Sequence, residues 1–189
     1  MTPEEFKSRL KAKESELKRF INELLPRHIG KIAVDHFKDN FRKGGFVNNG
    51  LTAWDKPKRF SETGKSAGSK YSTLLSSRNE LFNSISYDAK NNIVYIRSDK
   101  EYSQIHNEGG TINSTIPITP KMRKFAWAMH YNETGGEGDS KWKGLALTKK
   151  DSLNLTINMP QRQFIGESKE LNQTITELIE KHLKKILEL

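Results

Sequence analysis

Apolar residues recur at helical spacing from the start of the chain. The first run predicts a helix with an apolar stripe made of Phe6, Leu10, Leu17, Phe20, Ile21 and Leu24. Thr2 is a suitable N-cap, Pro3 suits the first helical position, and Glu5 completes a capping box. Pro26 is expected to end or kink this helix, because proline cannot donate a backbone hydrogen bond.

A second helix is predicted from about Arg27 to Arg42, and Gly44-Gly45 is expected to stop it. Its apolar stripe contains Ile29, Ile32, Ala33, His36, Phe37 and Phe41. Residues 44–72 are rich in Gly, Ser, Asn and Lys and show no periodicity, so they are predicted to form a long loop. Trp54 lies in this loop and is interpreted as a local anchor that holds it against the core.

Four later segments carry the alternation or the β-branched residues that are typical of strands: Phe82–Asp88, Ile93–Ile96, Thr111–Thr119 and Ser152–Met159. Asn91-Asn92 is a turn signal, so the first two of these segments are predicted to form a hairpin. Pro117 is expected to place the third strand at an edge or to end it.

Shorter helices are predicted before, between and after these strands. Their ranges are Ser72–Glu80, Asp99–Asn107 with a stop at Gly109-Gly110, and Pro120–Tyr131. Asn132–Gly144 is glycine-rich and is predicted to be a second long loop. Ser168 is a cap for the last helix, whose apolar stripe contains Leu171, Ile175, Leu178, Ile179, His182 and Ile186.

Together these elements predict an α+β fold. The N-terminal helices and a C-terminal helix are expected to pack on an antiparallel sheet of about four strands, with long loops at 44–72 and 132–144. The length of 189 residues suits a single domain over residues 1–189, with a helical N-terminal region at 1–43.

The composition excludes several classes of protein. The chain contains no cysteine, which excludes disulfides, thiolate metal sites and a cysteine nucleophile. It contains no apolar run of 18 residues, and its N-terminus lacks the apolar core of a secretion signal, so no membrane association is expected. The net charge of +9 fits either a solubilising surface or an anionic neighbour such as nucleic acid.

No constellation of catalytic residues emerges from the sequence. The histidines at 28, 36, 106, 130 and 182 lack metal-ligand spacing, and the segment 135–144 departs from a phosphate-binding loop. A metal-dependent nuclease built on His106 and Asn107 would need a second ligand that the spacing does not provide. The chain is therefore predicted not to be an enzyme and to bind no metal or cofactor.

Two segments, YSQIHNEGG at residues 102–110 and MPQRQFIG at residues 159–166, resemble signatures of the phage virion morphogenesis family, which contains the Mu-like and P2-like tail completion proteins. Residues 102–110 resemble the family pattern Y-A-x-x-H-x-x-G-G. Residues 159–166 resemble m-P-x-R-x-F-L-G. Leu81–Ile85 and Gly45-Phe46 with Trp54 resemble two weaker family segments, so the resemblance covers nearly the whole chain. Arg78-Asn79 departs from the usual Thr-Gly, and Pro120–Gly144 is interpreted as a family-variable insertion.

The motif residues are suited to structural roles, either in the fold or at a subunit interface. They are Tyr102, His106, Gly109, Gly110, Pro160, Arg162, Phe164 and Gly166. The glycines allow positive φ where the chain turns, and Tyr102 and His106 share one face of a helical turn. Arg162 suits a fixed carboxylate or carbonyl partner, and Phe164 is expected to anchor its segment in the core.

The resemblance implies a non-enzymatic role in tail completion or head–tail joining during phage assembly. Related connector proteins form rings, often of six subunits, so the implied partners are further copies of this chain and phage tail or head-connector proteins. The implied location is the virion, and the bacterial cytoplasm during assembly, with the gene carried by a phage or prophage. The alternative is a stand-alone basic module that binds nucleic acid.

Trp54 and Trp142 are the candidate docking residues. Both lie in predicted long loops, and a tryptophan in a loop normally needs a surface to bury against. The loops are therefore expected to become ordered against neighbouring subunits or the end of the tail, and a ring around DNA could bring the chain into non-specific contact with DNA. A monomer or weak oligomer is expected in dilute solution.

Overall fold

The computed structural model describes residues 2–57, 60 and 71–187. These residues form helices and small antiparallel sheets, which confirms the α+β class. The chain divides into two compact units. Unit 1 contains residues 1–109 and 160–189, and unit 2 contains residues 110–159. The expectation that residues 1–189 behave as one domain stays a prediction.

The N-terminal region is helical from Pro3 to Lys43. Helix α1 (Pro3–Arg19) begins with the predicted capping box, in which Thr2 Oγ1 accepts the N–H of Glu5 at 3.2 Å and Glu5 accepts the N–H of Thr2 at 2.8 Å. A π-helical turn (Phe20–Leu24) leads directly into helix α2 (Leu25–Lys43). The expected break at Pro26 is therefore wrong in part: Pro26 lies in the first turn of α2, where a missing donor does least harm.

The segment after α2 is a hairpin rather than a loop. Gly44 ends α2 with φ of 68°, as predicted, and strand β1 (Gly45–Val47) then pairs with strand β2 (Leu51–Ala53). Asn49 and Gly50 adopt positive φ in the turn between them. The predicted long loop at 44–72 is thus wrong over its first part, because strands of three residues are too short to show a period. Residues 58–59 and 61–70 lie outside the described residues.

The second hairpin is displaced from its predicted start. Helix α3 (Glu80–Ser84) takes up the beginning of the expected strand, and strands β3 (Ile85–Lys90) and β4 (Ile93–Ser98) form the hairpin. Its turn at Asn91-Asn92 has positive φ at both residues and is confirmed. The helix predicted over Ser72–Glu80 is wrong, because Ser76 and Asn79 exchange side-chain and backbone hydrogen bonds that hold a turn there.

Unit 1 is completed by helix α4 (Ser103–Glu108) and helix α7 (Lys169–Leu187). Helix α2 packs on the β3–β4 hairpin, and α7 packs against α1 and α2. The buried core consists of Ala33, Phe37, Phe41, Phe46, Trp54, Leu81, Ile85, Phe164 and Leu171. Ser168 caps α7 as predicted, since its Oγ accepts the N–H of Leu171.

Unit 2 contains a pair of helices that pack on each other and a pair of strands. Strand β5 (Gly110–Pro117) and strand β6 (Ser152–Met159) form an antiparallel ladder, and helices α5 (Pro120–Thr134) and α6 (Lys141–Leu147) lie between them in sequence. The long loop predicted at 132–144 is wrong at both ends, which are helical, and only residues 135–140 are irregular. Gly135 ends α5 with φ of 67°, and Ser140 caps α6 by accepting the N–H of Lys143.

No sheet of four strands occurs in the described ranges. The six strands form three separate two-stranded ladders: β1 with β2, β3 with β4, and β5 with β6. The four predicted strands all exist near their predicted positions, but the second pair belongs to unit 2. The expectation of about four strands in one sheet is corrected accordingly.

Candidate functional site

The two motif segments come together in unit 1. The N–H of Arg162 donates to the carbonyl of His106 at 2.8 Å. The side-chain oxygen of Asn107 accepts the N–H groups of both Phe164 and Ile165 at 2.9 Å. Helix α4 therefore holds the extended segment 160–166 through backbone groups at three points, and the two signatures form one structural unit.

Phe164 anchors this segment in the core, as predicted. Its side chain is 1% exposed and packs on Phe41 with ring centroids 5.1 Å apart. Its carbonyl accepts a hydrogen bond of 3.1 Å from the side-chain amide of Asn40, and the oxygen of that amide accepts the N–H of Val47. A single buried asparagine on α2 thus joins the motif segment to the β1–β2 hairpin.

Trp54 and Arg162 join the end of the same hairpin to the motif segment. The indole Nε1 of Trp54 donates to the carbonyl of Gln163 at 2.8 Å, and its ring lies edge-on to Phe41. Arg162 is buried, and its Nε donates to the carbonyl of Asp55 at 3.1 Å. Trp54 is therefore the predicted local anchor. Its indole packs inside its own subunit, so a docking role for Trp54 stays a prediction without structural support.

The motif glycines and proline lie where the chain changes direction. Gly109 ends α4 with φ of 73°, and Gly110 begins β5 with φ of 133°. Pro160 directly follows the last residue of β6. A Cβ on Gly166 would lie 2.0 Å from the Gln163 side chain and 3.3 Å from the Phe46 ring, so the close packing at this position requires glycine or a shift of Gln163.

His106 is a constrained histidine at the centre of the motif. Its ring lies edge-on to Tyr102 at 5.9 Å, as their spacing predicted, and its buried Nδ1 has no hydrogen-bond partner. Burial lowers the pKa of His106 below its usual value of 6.5, and the nearby Arg162 guanidinium lowers it further. The neutral imidazole is therefore the form that the folded protein favours.

Glu170 in the first turn of α7 holds the tip of the β1–β2 hairpin. Its carboxylate accepts the N–H of Gly50 at 2.8 Å and that of Asn49 at 3.0 Å. These hydrogen bonds to the charged form lower the pKa of Glu170 to about 2, with the Gly50 bond as the largest cause.

Trp142 presents a different environment in unit 2. It lies on α6, is half-buried, and its ring stands edge-on to Phe125 at 5.7 Å. An open pocket of about 430 Å³ lies beside it, with a mainly apolar wall and two lysines. The residues that line this pocket are Ile118, Lys141, Trp142, Gly144, Leu145, Thr148, Lys150 and Leu153. Trp142 is thus half-buried beside its pocket, whereas Trp54 is buried.

The described residues contain no group of three or more His, Asp or Glu side chains arranged to hold a metal ion. A second pocket of about 380 Å³ lies beside Trp54 in unit 1, and among the described residues Glu167 is the charged one in its lining. The absence of a metal or cofactor stays a prediction. Within the described parts of the chain, no helix is long and apolar enough to cross a membrane.

The sequence does not predict three residues of the site: Asn40, Asn107 and Glu170. Asn107 satisfies two backbone groups far away in sequence, and Glu170 does the same at the hairpin tip. Asn40 satisfies one distant group, the carbonyl of Phe164, and one nearby group, the N–H of Val47. The only available signals were the position of Asn40 beside the apolar stripe of α2 and the place of Asn107 inside the first signature. Neither signal predicts a partner.

Residues 9–184 match the sequence profile of the phage virion morphogenesis family. The chain therefore belongs to the phage virion morphogenesis family, and its role lies in virion assembly. The family is a structural one that is not known for catalysis. No curated protein and no solved structure shows significant similarity to the chain.

Proposed function

We propose that this protein completes the phage tail or joins the tail to the head, and that it acts as a subunit of a ring. The chain matches a virion assembly family over residues 9–184. The structural observation that supports the proposal is unit 2, a separate compact unit with an open pocket. Residues 110–159, called the arm below, combine a pair of helices with a two-stranded ladder. Its exposed pocket beside Trp142 is suited to receive an apolar side chain.

The charge of the arm fits an acidic partner surface. Residues 110–159 carry seven basic and four acidic side chains, and Lys141 and Lys150 line the pocket beside Trp142. Protein docking sites usually combine an apolar centre with a polar rim, and a basic rim favours and orients an acidic partner. We propose that a tail or head-connector protein binds in the pocket beside Trp142.

The role in assembly is tested by deleting the gene from an inducible phage genome and examining the lysate by electron microscopy. We expect filled heads and tails that fail to join, or tails with abnormal ends, and restoration by the gene supplied in trans. Unjoined heads and tails would indicate a role in head–tail joining, and tails with abnormal ends would indicate a role in tail completion. Normal infectious particles after deletion would refute the proposal.

The docking site is tested by complementation with the Trp142→Ala variant. We expect at least a tenfold loss of infectious particles with unchanged folding, because the variant removes one wall of the pocket. Tyr131→Ala is the matched control, since Tyr131 is an exposed aromatic residue on α5 outside the pocket. Equal titres for both variants would exclude the pocket beside Trp142 as the docking site.

A stand-alone nucleic-acid-binding module is the second candidate, and it is favoured by the net charge of +9 and by exposed Lys121, Lys124 and Phe125 on α5. Fluorescence anisotropy with labelled DNA at several salt concentrations separates the two candidates. Micromolar binding by the monomer with a steep salt dependence would favour the module, and weak binding would favour the assembly role.

A further inference from the structure

The N-terminal helix carries a coiled-coil seam that is only partly covered. Its seam residues are separated alternately by four and three positions, and they are Phe6, Leu10, Lys13, Leu17, Phe20 and Leu24. Alternation of four and three is the repeat of a helix that packs along its length against another helix. The seam therefore predicts a partner helix over its whole length.

Only the end of the seam nearest α2 has such a partner within unit 1. Phe20 is 2% exposed and its ring stacks on His182 of α7 with centroids 4.8 Å apart. Phe6 and Leu10 are 53% and 54% exposed, and α1 contains no buried residue. The seam is thus open at Phe6 and Leu10, two large apolar side chains in contact with solvent, and half-covered at Lys13 and Leu17.

The charges beside the open seam suit a second copy of the same helix. Lys7 and Glu14 lie on one side of the seam, and Arg9 and Glu16 lie on the other. Each side therefore changes from positive to negative along the helix. An antiparallel copy with Phe6 opposite its Leu17 places Lys7 opposite Glu14 and Arg9 opposite Glu16, which gives four attractive pairs by symmetry.

We propose that α1 binds α1 of a second copy in antiparallel orientation through this open seam. In this register Lys13 faces Leu10 of the other copy, whereas a parallel pair would place the two Lys13 side chains together. A lysine in the seam weakens the pairing while it fixes the register, so the dimer is weak and sensitive to salt. The contact is two-fold, so it differs from the head-to-tail contacts of a ring and does not depend on the proposed function.

Two charge variants test the pairing by sedimentation of the full chain over a concentration series. Lys7→Glu with Arg9→Glu, and separately Glu14→Lys with Glu16→Lys, should each weaken self-association at least tenfold, because all four pairs become repulsive. A mixture of the two variants should associate at least as well as the unmodified protein, since every pair is attractive again. Ser8→Glu, on the outer face of α1, is the control and should change nothing. An unmodified chain that stays monomeric at all concentrations, or a mixture that fails to associate, would overturn the proposal.

The orientation is tested by disulfide cross-linking, for which a chain without cysteine is well suited. Phe6→Cys mixed with Leu17→Cys should form a cross-linked dimer under mild oxidation. Neither variant should form one alone, because like residues are then about 16 Å apart along the antiparallel pair and a disulfide spans less than about 7 Å between Cα atoms. Cross-linking of either variant alone would indicate a parallel pair. A mixture that does not cross-link at concentrations where sedimentation detects the dimer would also contradict the proposal.

Discussion

Asn107 is the residue that couples the two family signatures most directly. Its side-chain oxygen accepts two backbone N–H groups of the segment that carries Phe164. Both N–H groups are close to the core, where water is a poor substitute for the missing acceptor. The role of Asn107 is therefore structural and depends on these hydrogen bonds.

We expect Asn107→Ala to lower the free energy of unfolding by about 1–3 kcal/mol, because it leaves two partly buried donors without an acceptor. Urea denaturation at pH 7.5 measures the change. Asn113→Ala is the matched control: its oxygen accepts a hydrogen bond from exposed Thr156, and its removal should cost less than about 0.5 kcal/mol. Equal losses for the two variants would contradict the coupling role.

Such residues could not be predicted from the sequence. Phe164 and Arg162 were predicted to act as an anchor and as a donor to a fixed group, because an aromatic ring and a guanidinium each favour one kind of environment. A lone asparagine favours many environments. Asn40 and Asn107 bind backbone groups of Phe164 that are 124 and 57 residues away along the chain, which no local pattern indicates.

Two half-buried histidines should make the stability of unit 1 dependent on pH. Burial is the main cause that lowers the pKa of both His36 and His106 below 6.5, and Lys43 and Arg162 respectively add to the effect. The unfolded chain then binds more protons than the folded chain below about pH 6.5, so stability should fall as the pH drops from 7 to 5. Urea midpoints across this range check the sign.

His36→Gln and His106→Gln should each reduce this pH dependence, because glutamine does not titrate. The two variants also separate the contributions of α2 and α4. A stability that is constant or that rises between pH 7 and 5 in the unmodified protein would show that the histidines are not held in the neutral form.

At the scale of elements, the packing of α2 on the β3–β4 hairpin depends on a glycine. The ring of Tyr87 lies directly over Gly30, so close that an added Cβ would be 2.1 Å from a ring carbon. A glycine inside a helix usually costs stability, but here it gives the strand room to approach. The close approach of Tyr87 explains why Gly30 occupies the middle of a long helix.

Gly30→Ala should therefore lower the free energy of unfolding by about 1–3 kcal/mol, although alanine favours helices. Gly144→Ala in α6 is the control, since nothing lies within 4 Å of its added Cβ, and it should be neutral or stabilising by up to about 1 kcal/mol. Thermal unfolding followed by circular dichroism measures both. The loss of unfolding free energy caused by Gly30→Ala should be smaller in a Tyr87→Ala background. An unchanged loss would show that the added methyl group does not clash with Tyr87.

Elements with a strong local signal were predicted well. The capping box of α1, the stop at Gly44 and the Asn91-Asn92 turn each depend on neighbouring residues alone, and the structure confirms them. The β1–β2 hairpin was missed because its strands have three residues each. Its stability comes from distant groups, namely Asn40 and Glu170, which no local pattern contains.

At the scale of the whole molecule, the pairing of strands could not be deduced from their periods. The four predicted strands have the alternation of one antiparallel sheet, yet they form separate ladders in two units. Alternation shows which face of a strand is apolar but does not select its neighbour. The two units are instead defined by where the chain passes from one to the other, between residues 109 and 110 and between residues 159 and 160.

Unit 1 should fold without unit 2. Gly110 and Met159 are paired in the ladder, so the two ends of the arm lie next to each other and a short Gly/Ser linker can replace residues 110–159. We expect the shortened protein to unfold cooperatively with the helical signal of α1, α2 and α7. Thermal circular dichroism and an amide NMR spectrum check this. Failure to fold with both a four-residue and an eight-residue linker would show that the chain is a single cooperative domain.

The adjacent ends of the arm also bear on how this protein evolves. Because the chain leaves and re-enters unit 1 at paired residues, an insertion, deletion or exchange between Gly110 and Met159 alters no spacing elsewhere in the chain. Selection on unit 1 and selection on the arm are therefore largely independent. Relatives should keep the lengths of α4 and of the segment 160–166 while their arms diverge in length and sequence. A recombination event at these two points would give a phage a new arm in a single step.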